Sequence, residues 1–525
     1  MTTELLTDEM QLNEAIELAE SLPLAAEDSP AIGAARFTLR TDTLADSVVI
    51  LLVMAVVQRL VGFGRSLLVC GWLEPEQLGQ WDLANRFLIF AAPLAMLGLP
   101  GTFGRYLEYY RLQGSLRTVL VRTISVCTLL TAVAVMAMLA APDFVSEQVF
   151  GTTANASSIP LLAFALVSVI AYNFLSEMLT ALRLVRIGAT FQFINSVAFA
   201  LFCVALLAWW QTDATAIVAA YGGSCLLLVV VALLWTARAW PHLPHDASAV
   251  THRELWPKLL RFASWIWITN ILTNLYEIAG RYLLIHYGNL ADPQAAIGQY
   301  HSAQIIPVLI VSVAVVLSGM ILPHLTSDWE QGRRKQVDNT MNLTIKLLGL
   351  AMLAGSAVVL LTAPLLFNVV LRGKYSEGVE LLPLVLTGCA WTGLMTVAHT
   401  YLWCAERARL GSLAMLIGLV GCVVLNLILI PTYGLTGTVV AATLASLIVL
   451  VSVLVLNWRM GMEVHRGVLV VCLLPVVLLL GTTVACVVTV GATTYAVFGG
   501  QLFNVAEKQQ ITAVAQNYYR RVARR

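Results

Sequence analysis

The 525-residue chain is 59% hydrophobic and only 12% charged, with a mean hydropathy of +0.82 and a formal net charge of +1. A soluble domain carries about twice that charged fraction, so a water-facing enzyme is excluded, and the near-neutral balance offers nucleic acid no attractive field. The nine cysteines lie in or beside apolar blocks without C-x-x-C or Cys/His spacing, which speaks against a disulfide framework or a zinc site.

Residues 1–46 form an acidic segment. Glu4, Asp8, Glu9, Glu14, Glu17, Glu20, Glu27 and Asp28 precede any Lys or Arg, the reverse of the basic start of a secretory signal peptide, so cleavage by that route is not expected. Two readings stay open for the stretch. It is an acidic solvated tail, or a short cytoplasmic amphipathic helix built on Leu5, Leu6, Leu12, Ile16, Leu18 and Leu22 that would bind a partner.

Twelve apolar blocks come next, at residues 47–68, 79–99, 119–141, 159–182, 187–209 and 215–235, then 262–285, 298–322, 347–367, 381–403, 410–430 and 435–456. Each is about 20 residues long, enough to cross a roughly 30 Å hydrocarbon core, which predicts an all-α multi-pass membrane protein. With a cytoplasmic N-terminus, the loops on that side hold 19 Lys and Arg, while the opposite loops hold only Arg372 and Lys374, as the positive-inside rule requires. The polar stretch 236–261 contains Pro241, His242, Pro244, His245 and His252 and reads as a cytoplasmic linker between six-helix bundles at 47–235 and 262–456. Histidines beside prolines on a loop are the pattern of a solvated turn, so no metal is expected there. Residues 457–503 add further membrane. The 36 residues 468–503 are too long for one helix, and the tail at 504–525, with Lys508, Arg520, Arg521, Arg524 and Arg525, belongs in the cytoplasm, which favours a tight pair and fourteen helices.

The two halves share a signature. Pro75-Glu76-Gln77-Leu78-Gly79-Gln80-Trp81 follows the first helix of one half and Pro293-Gln294-Ala295-Ala296-Ile297-Gly298-Gln299-Tyr300 that of the other, placing Gly-Gln-aromatic at a spacing of 219. Each following helix is expected to end at Leu-Pro, at Leu99-Pro100 and Leu322-Pro323. Six helices between copies give both the same orientation, so the pattern predicts a parallel repeat around a central cleft.

Several segments carry a family resemblance that spans nearly the whole helical region. Leu73-Glu74-Pro75-Glu76-Gln77-Leu78-Gly79 resembles the "L-G-P-E-x-x-G" loop, Gly373-Lys374-Tyr375 the "G-x-x-Y" loop, and Ala405-Glu406-Arg407 the "A-x-G-R" turn of polysaccharide and O-antigen flippases of the multidrug/oligosaccharidyl-lipid/polysaccharide exporter superfamily. Asn426 to Gly437 resembles that family's "N-x-x-L-I-P-x-Y-G-x-x-G" hairpin, in which Pro431 would end a helix, Gly434 turn the chain and Gly437 admit a close neighbour. The chain departs from the family near Gly280, where members often carry an acid and this sequence has Glu277 and Arg281.

The resemblance implies a flippase that moves a polyprenyl-(pyro)phosphate-linked oligosaccharide or polysaccharide precursor across the cytoplasmic (inner) membrane by alternating access. It implies no enzyme and no cofactor. The implied partners are the lipid-linked oligosaccharide, membrane lipids and, through the N-terminal segment, polysaccharide-assembly proteins, with a monomer expected because one chain supplies both halves. A cation-coupled multidrug exporter of the same superfamily is the alternative. No G-x-x-x-x-G-K-[ST] occurs, so direct use of ATP is not expected.

Ionisable groups inside spans cost about 3 kcal/mol each and so tend to face a cavity or a partner. Helix one holds Arg59 and Arg65, helix two Asp82 and Arg86, helix three Arg122, helix four Glu177, and helix seven Glu277 and Arg281. Asp82 with Arg86, and Glu277 with Arg281, are four apart and could pair on their own helices. Arg59, Arg86 and Arg281, with Arg65 at the rim and Glu277 beside them, are the candidates for a chamber that takes an anionic headgroup, because the guanidinium fork suits phosphate oxygens. Glu177, Glu277 and Asp82 are candidates for ion coupling, although Glu177 could instead pair with Arg183. Arg122 reads as a helix end snorkelling to the interface.

Overall fold

The computed structural model describes residues 44–182, 184–239, 251–498, 502–503 and 507–508. The acidic segment before Leu44, Arg183, His242, His245 and the tail arginines lie outside the described residues. The chain from Ile50 onward packs as one unit, and Leu44–Val49 are the first turns of α1.

Helix is the only arrangement that satisfies every backbone N–H and C=O within a lipid-exposed segment, and the twelve apolar blocks all fall on helices. In chain order these are α1 (Leu44–Trp72), α2 (Pro75–Ala95), α3 (Phe103–Leu112), α4 (Leu116–Ala140), α5 (Pro142–Phe150), α6 (Ile159–Ala181), α7 (Val185–Trp209) and α8 (Ala214–Ala239). The second half of the chain adds α9 (His252–Tyr287), α10 (Pro293–Glu330), α11 (Arg334–Leu365), α12 (Ser376–Cys404), α13 (Ala408–Arg459), α14 (Arg466–Leu473) and α15 (Thr482–Phe498). Among the described residues nine helices are long and apolar enough to cross a membrane, and α2 with α3 makes a tenth span bent by 65°. The 36-residue α9 is also long enough, but Glu277, Arg281 and a polar N-terminal end make it less apolar.

Two breaks redirect the chain. After α2, Leu97 and Gly98 adopt left-handed φ of 51° and 69°, and the chain re-enters helix through a 3-10 turn at Pro100–Thr102. A Cβ on Gly98 would lie 2.7 Å from the carbonyl oxygen of Ala263, so glycine here admits α9. The expected stop at Leu322-Pro323 does not occur. α10 runs unbroken through Pro307 and Pro323, because a proline removes one hydrogen bond while the stop in α2 is made by the left-handed pair, which α10 lacks. The second break is Gly434, with φ of 53° and ψ of −124°, which divides the 52-residue α13 into two arms. A Cβ on Gly437 would overlap the carbonyl oxygen of Leu429, so the expected close approach at this hairpin is present. Pro431, by contrast, lies inside the first arm.

The stretch predicted as a tight pair is also divided. α14 continues as a 3-10 helix over Leu474–Leu480, Gly481 takes φ of 98°, and α15 comes after it, each arm being shorter than 18 residues. Near the basic end, the buried ammonium of Lys346 on α11 donates to both carboxylate oxygens of Glu507 at 2.8 and 3.0 Å.

A seam of rings and cations joins α3 to α9 at that same end. Tyr106 meets Phe262 edge-on at 5.7 Å, and the ammonium of Lys258 lies 4.2 Å from the ring centre of Tyr109. Trp267 donates its indole N–H to the carbonyl of Leu94 at 3.3 Å. His252, from the predicted linker, falls in the first turn of α9 and accepts from Trp256.

Candidate functional site

Residues of α1 recur at helical spacing along one face, Gln58 and Arg59, Gly62 and Phe63, then Arg65 and Ser66, and this face lines a cavity of about 370 Å³. α2 contributes Trp81 and Asn85, α6 Tyr172, α7 Gln192, Asn195 and Phe199, α8 Tyr221, and α10 His301 and Ile305. The guanidinium of Arg65 sits 4.0 Å above the Phe199 ring, a cation–π contact that holds the charge without neutralising it. The side-chain oxygen of Asn195 is buried and has no hydrogen-bond partner among the described residues. Among the described residues no carboxylate lines the cavity, whose charged side chains are Arg59 and Arg65.

Beside it lies an ion network joining α2, α9 and α10. Asp82, 1% exposed, forms a short pair with Nε of Arg281, itself 4% exposed. Arg281 donates further to Oε1 of Gln304 at 2.6 Å and to the backbone oxygen of Glu277 at 3.2 Å. Arg86 Nη1 donates to Glu277 Oε2 at 2.8 Å, and Nδ1 of His301 lies 2.8 Å from Oδ1 of Asp82.

The structure thus separates what the sequence grouped. Arg59 and Arg65 line the cavity, whereas Arg86, Glu277 and Arg281 belong to the network. The expected pairing within one helix is present for Asp82 and Arg86, at 3.7 Å, and is corrected for Glu277 and Arg281. The Glu277 carboxylate reaches across to Arg86 and the Arg281 guanidinium across to Asp82. The faces that could have neutralised themselves are the faces on which these helices meet. Glu177 is exposed on α6 and does not line the cavity.

The repeated signature meets itself in space. A Cβ on Gly79 would overlap the carbonyl oxygen of Gln294, and one on Gly298 would overlap that of Pro75. These two contacts exchange under the same offset of 219 that relates the sequence motifs. Gln80 donates to Gln294 at 2.8 Å across the junction. The loop before α12 closes over it, with Lys374 Nζ 2.8 Å from Glu74 and the Tyr375 hydroxyl donating to the Leu73 carbonyl at 3.0 Å. Burial pushes the Tyr375 phenol up, so it remains a donor.

Sequence reasoning missed His301, together with the rings of Trp81, Tyr172, Phe199 and Tyr221. A signal for His301 existed. It follows Gly-Gln-Tyr as Asp82 follows Gly-Gln-Trp, so the repeat itself assigns the two residues equivalent places.

Residues 44–328 match the polysaccharide biosynthesis protein family, which is more than half of the chain. The chain belongs to this family. No curated protein matches it. Among solved structures it resembles the lipid II flippase MurJ in an inward closed conformation, at 11% identity and a TM-score of 0.65, covering 85% of this chain and 99% of that one. It also resembles an inward-facing multidrug resistance MATE family transporter of the MOP superfamily, at 16% identity and a TM-score of 0.62, covering 77% and 94% of the two chains. A MOP superfamily transporter from Pyrococcus furiosus Vc1, described as having a binding pocket of reverse polarity, matches at 13% identity and a TM-score of 0.57, covering 78% and 95%. At such identities the likeness shows the fold, that of MOP transporters, and the family places this multi-pass protein in polysaccharide biosynthesis.

Proposed function

We propose that this protein is a flippase that carries a polyprenyl-(pyro)phosphate-linked oligosaccharide from the inner to the outer leaflet of the cytoplasmic membrane. The single observation behind this reading is the polarity of the cavity, where Arg59 and Arg65 are met by aromatic rings and amides and, among the described residues, by no carboxylate. Such a site favours a phosphate and sugar hydroxyls, and it repels the cations that a multidrug exporter would move. The N-terminus is cytoplasmic in this reading, supported by the 19-to-2 distribution of basic residues, so the Gly79–Gly298 junction is the outer closure. The reciprocal contact there supports two six-helix bundles, 47–235 and 262–456, related by a twofold axis, with residues 457–503 outside that plan. Rocking the bundles would open the cavity to either side, the chain acting as a monomer. Of the acids considered for ion coupling, Glu277 is half-exposed and paired with Arg86, and Asp82 is sealed in the network.

The leaflet distribution of lipid-linked oligosaccharide, measured by protected labelling in cells with and without the protein, tests the reading. Precursor should accumulate on the cytoplasmic side in its absence. An unchanged distribution with retention of cationic dyes would replace the flippase by the exporter. In the same assay the double variant Arg59→Gln/Arg65→Gln should lose transport by about a hundredfold while reaching the membrane at normal levels, two charge-assisted contacts of roughly 1.5 kcal/mol each being removed.

A further inference from the structure

Among the described residues His301 is the one side chain that belongs to both the cavity and the ion network. It lines the cavity with Arg59 and Arg65, and its Nδ1 bonds Oδ1 of Asp82, the carboxylate at the centre of the ion network. Nothing in the proposed transport step yet uses it. The carboxylate oxygen it occupies has a second suitor. Among the described residues Nε of Arg86 is buried without a hydrogen-bond partner, and it stands 3.7 Å from that same Oδ1, beyond hydrogen-bonding distance while the imidazole is in place.

An imidazole N–H is donated to one acceptor at a time. In the arrangement seen Nδ1 faces a carboxylate oxygen, which can only accept, so this N–H is spent on Asp82 and is not offered to an anion in the cavity. We infer that His301 is a positioning residue that hands Asp82 from one partner to another. An anionic headgroup held by Arg59 and Arg65 draws the imidazole N–H into the cavity, and Arg86 Nε closes on the vacated carboxylate oxygen. The inference rests on the flippase reading and deepens it by naming how occupancy of the cavity reaches the helices that join the halves.

The exchange has a direction. Arg86 also holds Glu277 of α9, and His301 sits two residues beyond Gln299, whose amide is bonded to the closing loop by donation to the Lys374 carbonyl at 3.2 Å and to the first turn of α12 by acceptance from the Gly378 N–H at 3.1 Å. Turning His301 away from Asp82 therefore removes one tie between α10 and α2, three residues beyond the Gly79–Gly298 contact, and headgroup binding loosens the outer closure. The charged and titratable groups facing the imidazole are Asp82 and Arg86 on α2, Arg59 and Arg65 on α1, Tyr172 on α6, Tyr221 on α8 and Arg281 on α9. All but Asp82 are cationic or neutral, so the anion and Asp82 are the two acceptors in competition.

The test uses the full chain in nanodiscs with Gln80→Cys as a reporter in the outer closure, farnesyl pyrophosphate as the probe and farnesol as the uncharged control. The same protein without the reporter provides the blank for the native cysteines. In otherwise wild-type protein farnesyl pyrophosphate should speed alkylation of the reporter by a water-soluble maleimide about tenfold, the equivalent of about 1.4 kcal/mol, and farnesol should not. His301→Asn places an amide N–H where Nδ1 now lies and has nothing to turn into the cavity. It should still bind the probe, within about threefold in Kd, yet abolish the acceleration. His301→Gln, whose longer amide can reach either acceptor, should restore part of it. Binding with unchanged acceleration in His301→Asn would overturn the role of His301 and leave the flippase reading standing. Failure of the wild-type protein to bind farnesyl pyrophosphate would overturn both.

Discussion

Arg281→Ala should sharply lower the melting temperature of the purified protein in detergent and reduce its level in the membrane. Its guanidinium is the cation on Oδ2 of Asp82, 1% exposed, at the meeting of three helices, and its removal leaves that oxygen without a partner among the described residues while His301 and Arg86 stay on the Oδ1 side, at a cost approaching the roughly 3–5 kcal/mol of a broken buried pair. Taken from the sequence alone, the expectation for Arg281 is a substrate contact whose loss spares folding. The structure alters that expectation because Arg281 is sealed from the cavity by its own bonds to Asp82, Gln304 and the Glu277 backbone. A second variant separates the two roles. Asp82→Asn/Arg281→Met removes both charges together and should recover most of the lost stability, since a buried pair replaced as a unit is often near neutral. Equal melting temperatures for Arg281→Ala and wild type would show that the network contributes nothing to holding α2, α9 and α10 together.

Gly79→Val should prevent the N-terminal ends of α2 and α10 from meeting, because its Cβ would overlap the carbonyl oxygen of Gln294, a backbone atom that cannot move aside as a side-chain tip can. Gly298→Val should do the same against Pro75. Both variants are expected to reach the membrane, to lose transport, and to expose a cysteine at Gln80 to a water-soluble maleimide. The informative variant is the double. One separation of the two helices relieves both overlaps, so Gly79→Val/Gly298→Val should be scarcely worse than either single change, a coupling that independent sites would not show. Additive effects on maleimide exposure would mean that the glycines act in different places and that the reciprocal junction is not one closure.

The all-α class and the positions of the helices were legible in the linear chain because they depend on local periods. Helix in a bilayer needs runs of about 20 apolar residues, and such runs survive any detail of packing, so both follow from hydropathy alone. Gly434 could be read as a turn because its backbone requirement is local, and the signature around Gly79 and Gly298 could be read as a repeat because repetition is itself a property of sequence. Arg59 and Arg65 were legible as cavity candidates through the cost of leaving a guanidinium in lipid.

Partnership was not legible. Asp82 and Arg86 are four residues apart, as are Glu277 and Arg281, and within each helix either spacing would serve as an ion pair. Which charge answers which is decided by the approach of α2, α9 and α10, a relation among segments some two hundred residues apart that no local period encodes. The same holds for α10, where Leu322-Pro323 looks like a helix end until a continuous helix is seen to run through it, and for His301, an unremarked histidine until tertiary packing sets one of its nitrogens on Asp82 and the rest of its ring against the cavity. Hydropathy and spacing determined which segments cross the bilayer and which residues are too polar to be there without a reason. Only the packing of those segments decided the reasons, because the pairing of buried charges depends on distances of a few ångströms between chains of atoms that the sequence lists far apart.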